Sequence, residues 1–233
     1  MNSSRGIALV MVVLATTFLS TLGMGVMLAV FMDRLAVGHV SGSVAMLYAA
    51  DAGIELAARD LALAEDWDTV LTGGERGSFI DGAPSGVRAI PGGGAVDLTA
   101  ATNQLNCGKA TTCTVAQMNA NSRERPWGAN NARWQLFAYG PMEQLTEIVR
   151  PAACYLVVWI ADDSREQDGN PEADEAQAGQ PGHGIVRVHA EAFGATGSRR
   201  AIEAELARMC PPGEPCLPGV RVQSWQELRQ AVP

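Results

Sequence analysis

The sequence predicts an α+β protein: a long N-terminal helix, membrane-spanning in its first half and amphipathic in its second, packed on a head of antiparallel strands. Three observations predict it. From Ile7 to Met32 no Lys, Arg, Asp, Glu or Pro interrupts a run of Leu, Val, Met and Ala. No proline follows until Pro84, so helix formers carry the element onward. Beyond residue 133, short apolar or alternating segments are separated by turn-forming stretches.

The apolar run, residues 7–32, is ~26 residues, against the roughly 20 that a helix needs to cross a bilayer core. At helical rise it reaches ~39 Å, enough to span with tilt. It is too long for a secretory signal peptide and continues through Asp33 and Arg34 into more helix-forming sequence. In residues 33–64, Val40, Val44, Leu47, Tyr48, Ile54 and Leu61 recur near three, four and seven, which makes an apolar face. Arg34, Ser41, Ser43, Glu55, Arg59 and Asp60 fall largely elsewhere. Gly23, Gly25, Gly38 and Gly42 suit either close helix packing or local bending.

Residues 65–132 read as a connecting loop region, punctuated by Gly73-Gly74, Gly77, Gly82, Pro84, Gly86 and Pro91-Gly-Gly-Gly94. The glycine run lacks a following Lys and reads as linker, not phosphate loop. Trp67, Trp127 and Trp134 are expected to anchor loops to the core.

The head, residues 133–209, contains four strand signals. Arg133–Tyr139 mixes aromatic and aliphatic residues, and Cys154–Ile160 is continuously apolar, as a buried central strand would be. Ile185–Phe193 alternates, with Val186, Val188, Ala190 and Ala192 on one face and Arg187, His189 and Glu191 on the other, expected to be solvated. Gly194–Ser198 reads as a hairpin loop, and Arg200–Ala207 returns with Ile202, Ala204 and Leu206 inward. The tail, residues 210–233, reads as a Cys-closed loop followed by a short Trp225-containing helix or an extended end.

Formal net charge is −8, from 25 acids against 17 bases, without a concentrated basic patch, so nucleic acid is not an expected partner. Among the five cysteines, two pairs share one spacing, Cys107 with Cys113 and Cys210 with Cys216. Such short loops can close as disulfides in an oxidising compartment. Cys154 is then the odd thiol, or it pairs with one of the four and leaves another free. No Cys-x-x-Cys and no paired His spacing accompanies them, which argues against zinc at the cysteines.

Between Asp162 and Glu175 acids are dense. Asp162, Asp163, Asp168, Asn170, Glu172 and Asp174 are candidate Ca²⁺ ligands, because oxygens at alternate positions of a turning loop can surround that ion. The run lacks the glycine and the bidentate acid of a helix–loop–helix calcium site, and a solvated acidic hairpin is the alternative. His39, His183 and His189 are isolated, with His183 in a turn. No Gly-x-Ser-x-Gly or His-Glu-x-x-His motif occurs, so no enzymatic activity and no catalytic residue is expected.

The leader Met1–Gly6, with Arg5-Gly-Ile-Ala-Leu-Val-Met-Val-Val-Leu14 and Leu47-Tyr-Ala-Ala-Asp-Ala-Gly-Ile-Glu55, resembles type IV pilus minor pilins of the PilX type. The resemblance is close over residues 1–64 and looser over 134–208. It implies a pilin-like fold, with the outer half of the helix held on the sheet. It also implies a class III leader, residues 1–6, cut between Gly6 and Ile7 by a prepilin peptidase that methylates Ile7. Major pilins carry a glutamate at the fifth mature position, which is Met11 here. A subunit at the tip has no earlier subunit to dock against, so Met11 fits a minor, priming or tip role.

The implied partners are other major and minor pilins, met through the N-terminal helix, the peptidase, and the inner membrane before assembly. The head would be periplasmic first and at the cell surface, in the pilus, afterwards. A K-type minor pseudopilin of type II secretion is the alternative, since it shares the missing acid, and pseudopilins use calcium. A single-pass anchored domain unrelated to pili is the remaining one.

Overall fold

The computed structural model describes residues 4–121, 128–145, 153–166, 168–174, 182–195, 197–209 and 217–228. Outside them lie the first three leader residues, Trp127, Glu175, Cys210 and Cys216, and the His39 side chain is likewise not described. The chain divides into two compact units, Met1–Gly42 and Ser43–Pro233. Helix α1, Ser4–Leu63, begins in the first and ends in the second.

In the first unit every side chain described from Ile7 to Arg34 is exposed, apolar ones included. The few hydroxyls in this stretch turn back on the helix: Thr16 donates to the Val13 carbonyl at 3.0 Å, Thr17 to Leu14 at 2.9 Å, Ser20 to Thr16 at 2.8 Å and Thr21 to Phe18 at 2.8 Å. Their polar groups are therefore satisfied without water, which a hydrocarbon setting requires. A Cβ added at Gly23, Gly25, Gly38 or Gly42 would meet nothing within 4 Å.

In the second unit α1 buries Met46, Ala49, Ala50, Gly53, Ile54, Ala57 and Leu61, a stripe at spacings of three and four. The expected face is corrected here. Val40, Val44 and Tyr48 are exposed and Leu47 is half-buried, whereas Ile54 and Leu61 are buried. Small residues line the inward stripe because the helix lies close against the sheet: a Cβ on Gly53 would stand 3.0 Å from both Ala190 Cβ and Leu156 Cδ1.

The sheet has the order β3-β4-β5-β6-β7, every neighbour antiparallel. Its strands are β3 (Gln135–Pro141), β4 (Cys154–Asp162), β5 (Ile185–Gly194), β6 (Arg199–Met209) and β7 (Leu217–Leu228). The hairpin between β5 and β6 closes with the Gly194 N–H donating to the Ser198 carbonyl at 2.8 Å. Leu156, Val158, Ile160, Val188, Ala190, Ile202 and Leu206 form one core with α1. β4 reads as continuously apolar because its other face is also covered: Tyr155, Val157 and Trp159 pack with Trp134, Leu136, Val96 and Leu98. β7 resolves the tail in favour of its extended alternative, as an edge strand carrying the head past residue 209. The Trp225 indole donates to Asp51 of α1 at 2.9 Å, and Arg200 of β6 donates to Ser43, so both strands are tied to the helix.

The connecting region is not loop throughout. It holds α2 (Trp67–Leu71), the hairpin β1 (Val87–Ala89) and β2 (Ala95–Asp97), α3 (Leu98–Cys107) and α4 (Val115–Ala120). Each helix starts on a side-chain cap: Asp66 accepts from Asp68 N–H, Asp97 from Thr99 and Ala100, and Thr114 forms a capping box with Gln117. The Gly92-Gly93-Gly94 run is the hairpin turn, with φ of 84°, 124° and 87°, so glycine is needed there for conformation and not for a linker. A short helix, α5 (Met142–Leu145), follows β3. Trp67 and Trp134 are buried, as expected of anchors.

Of the two disulfides expected from spacing, the structure describes the first. Cys107 and Cys113 are bonded with Cα atoms 5.9 Å apart, closing the chain just after α3. The second, between Cys210 and Cys216, is not among the described disulfides, because Cys210 and Cys216 both lie outside the described residues, in the connection from β6 to β7. Cys154 is a buried free thiol whose pKa burial pushes up to about 11. Replacing Cys107 and Cys113 by serine is expected to cost about 2 kcal/mol, less than a longer loop would give. Urea unfolding of the two proteins under oxidising conditions measures it.

Candidate functional site

Gly6 and Ile7, the expected cleavage pair, lie in the first turns of α1, and Ile7 is exposed. The span Ile7–Leu63 is the one described helix long and apolar enough to cross a membrane. With its apolar side chains exposed from Ile7 to Met32, the first half of this helix can be solvated by lipid or by similar helices.

A second feature is assembled at the end of the sheet. β4 delivers Asp162, the turn Asp163–Glu166 follows, and the chain returns through Asp174 to Gly182–Gly184 at the start of β5. A Cβ on Gly182 would lie 2.9 Å from the Glu166 backbone nitrogen, so the two ends of this connection are packed together. The Asp174 N–H donates to Asp68 Oδ1 at 2.7 Å, its Oδ1 accepts the Gly184 N–H at 2.6 Å, and His183 Nδ1 stands 3.5 Å from that same oxygen. Ligand atoms of Glu166, Asp174 and His183 all lie within 4.8 Å of one another.

Asp162 is 3% exposed, and among the described residues its Oδ1 has no hydrogen-bond donor. Burial, and then the Glu166 carboxylate, push its pKa up to about 9; the Asp163 N–H opposes this, and Asp174 and Asp168 add to it. Burial likewise raises Asp174. It thus favours the protonated form of both carboxyls, and at Asp174 the Gly184 N–H, His183 and Arg208 oppose it.

The six expected calcium ligands are not brought together. Asp174 belongs to the convergent group and Asp162 feels the charges of Asp174 and Asp168, whereas Asp163 is held by Arg165 at 2.9 Å and Asn170 and Glu172 are exposed. Arg165 also reaches Glu205 at 2.9 Å, fixing the turn to β6. Glu166, inside the acidic run, and His183, just before β5, were not among the sequence candidates. Their convergence depends on the return of the chain, which spacing alone does not reveal.

On the sheet face away from α1 lies a third cluster. His189 is buried, not solvated as its alternating strand suggested, because elements between residues 90 and 134 cover that face. Its Nδ1 is 3.5 Å from Glu203 Oε1 and its Nε2 is 3.9 Å from Glu191 Oε2, with Trp134 and Trp159 edge-on to the ring.

Comparison with protein-family models, with characterised proteins and with solved structures found no match to this chain.

Proposed function

We propose that this chain is a minor pilin that helps start type IV pilus assembly and sits at or near the filament tip. The observation that carries the reading is the helix from Ile7, whose apolar side chains are outward over its whole first half. Such a surface is stable in lipid, and it is also a surface that bundles with similar helices. The self-satisfied hydroxyls of Thr16, Thr17, Ser20 and Thr21 let the same helix occupy either setting without an unpaired group. The glycines with open space around them leave room for a neighbour to approach. A five-stranded antiparallel sheet holding residues 46–61 supports the same reading from the head.

In this reading the chain is inserted in the inner membrane with its head periplasmic. It is cut after Gly6, methylated on Ile7 and then docked through α1 onto other pilins. Mass spectrometry of the native protein from sheared filaments tests it. A chain that begins at methylated Ile7 is expected. An intact Met1 in assembled material would leave only a membrane-anchored domain.

A further inference from the structure

We propose that β7 is a docking edge for a second copy of this chain, the two β7 strands pairing antiparallel about a two-fold axis between Gln223 and Ser224. The sheet closes one of its edges and leaves the other open. At β3 the segment 77–81 is bonded along the edge: the Gly77 N–H donates to the Phe137 carbonyl at 3.0 Å, the Tyr139 N–H to Phe79 at 2.8 Å and the Asp81 N–H to Tyr139 at 2.9 Å. Among the described residues no strand pairs with the outer edge of β7, and every residue from Arg221 to Glu227 is exposed. Such an edge presents a row of backbone donors and acceptors, and the partner that fits it is another extended strand.

An irregularity of β7 selects the strand. Ser224 pairs with Glu205 and Val222 with Leu206, so Gln223 is an extra residue on β7. Alternation breaks there. Trp225, opposite Ala204, and Val222, opposite Leu206, both lie on the α1 face although Gln223 and Ser224 separate them. Ser224, Gln226 and Arg221, opposite Glu205, Glu203 and Ala207, lie on the other face. A regular strand would match these faces on one side of Gln223 and oppose them on the other. A partner with the same extra residue in the same place matches throughout, and a second β7 has it. Antiparallel pairing with Gln223 opposite Ser224 sets Val222 against Trp225 and Arg221 against Gln226, once on each side of the axis. Val222 and Trp225 are 49% and 47% exposed in the single chain, and aromatic–β-branched pairs of this kind stabilise sheets. Charge agrees with this direction. Each copy's Arg221 end approaches the other's Glu227 end, whereas parallel pairing in register would set like against like. The inference rests on the head alone, so its failure leaves the filament reading intact.

The test uses the full-length protein in density-matched detergent, where sedimentation is expected to show a concentration-dependent dimer. Val222→Lys, at an exposed position, should weaken dimerisation about tenfold or more and leave the melting temperature of the dilute protein nearly unchanged. Disulfide trapping reads the register without relying on that variant. Val222→Cys mixed with Trp225→Cys should form a crosslinked dimer much faster than either variant alone, because directly opposed Cβ atoms come within disulfide reach. The unsubstituted chain, with its own cysteines, sets the background rate. A chain that stays monomeric at its highest soluble concentration overturns the proposal and leaves the edge to a strand of another protein. A dimer that Val222→Lys does not weaken, or a mixture that crosslinks no faster than its components, overturns it in favour of contact through α1 or another surface.

Discussion

Gly53→Val is expected to destabilise the head by about 3 kcal/mol, read as a lower urea midpoint with little change in slope. The glycine sits on the buried stripe of α1, where the helix meets β4 and β5. A Cβ there would stand 3.0 Å from Ala190 Cβ, 3.0 Å from Leu156 Cδ1 and 3.1 Å from Val158 Cγ2. Val158 and Ala190 are register partners, so two of the three obstacles belong to adjoining strands at the centre of the sheet. Ala190 Cβ cannot move without its backbone, and close-packed interiors do not absorb such overlaps freely. Alanine at this position would regain ~1 kcal/mol of helix preference, which offsets much of a small overlap. Valine adds two methyl groups with nowhere to go. An unchanged midpoint for Gly53→Val would mean that α1 does not lie against β4 and β5 as described.

The same stripe shows what could be read in advance. Helix α1 is legible because its cause is local: no proline, strong helix formers, and an apolar run too long for anything else. Which face turns inward was less legible. Tyr48 and Val44 are the larger side chains, but the sheet accepts Ala49, Ala50, Gly53 and Ala57, and the contact is set by closeness of approach more than by hydrophobicity. β3 to β6 were readable from alternation and from the apolar run of β4. β7 was ambiguous because an edge strand has less to bury: Val222 and Trp225 are both about half exposed, so no clean period of two survives.

The short helices between residues 65 and 121 went unread for another reason. Each is ten residues or fewer and leans on a cap, and Gly-rich turns dominate a compositional reading of the region. Those same elements explain the third cluster. Alternation along β5 correctly placed Arg187, His189 and Glu191 on one face, but a pattern along one strand cannot say what will cover that face. Val96, Leu98 and Trp134 cover it, and the face that looked solvated became a second core.

His189→Leu is therefore expected to cost about 3 kcal/mol at pH 6 and distinctly less at pH 9. The imidazole lies between Glu203 on β6, its register partner, and Glu191 on its own strand. Arg187 stands 3.4 Å from Glu203 and Arg199 stands 3.4 Å from Glu191, so the cluster holds two guanidiniums, two carboxylates and one titrating ring. Burial pulls the His189 pKa down, but the two carboxylates outweigh it and the net shift is upward from 6.5. Below about 6.5 both folded and unfolded imidazoles are protonated, and the full ion-pair contribution is present. As pH rises through the raised folded value, the native state gives up a proton that the unfolded chain has already lost, and that contribution disappears. Leucine fills the space between Trp134 and Trp159 but supplies no charge, so its deficit should follow the imidazolium. The two guanidiniums keep partial compensation in place, which holds the expected loss to the low end for a broken buried pair. Urea midpoints of both proteins at the two pH values separate this from simple loss of packing: a gap that does not change with pH would assign His189 a steric role alone.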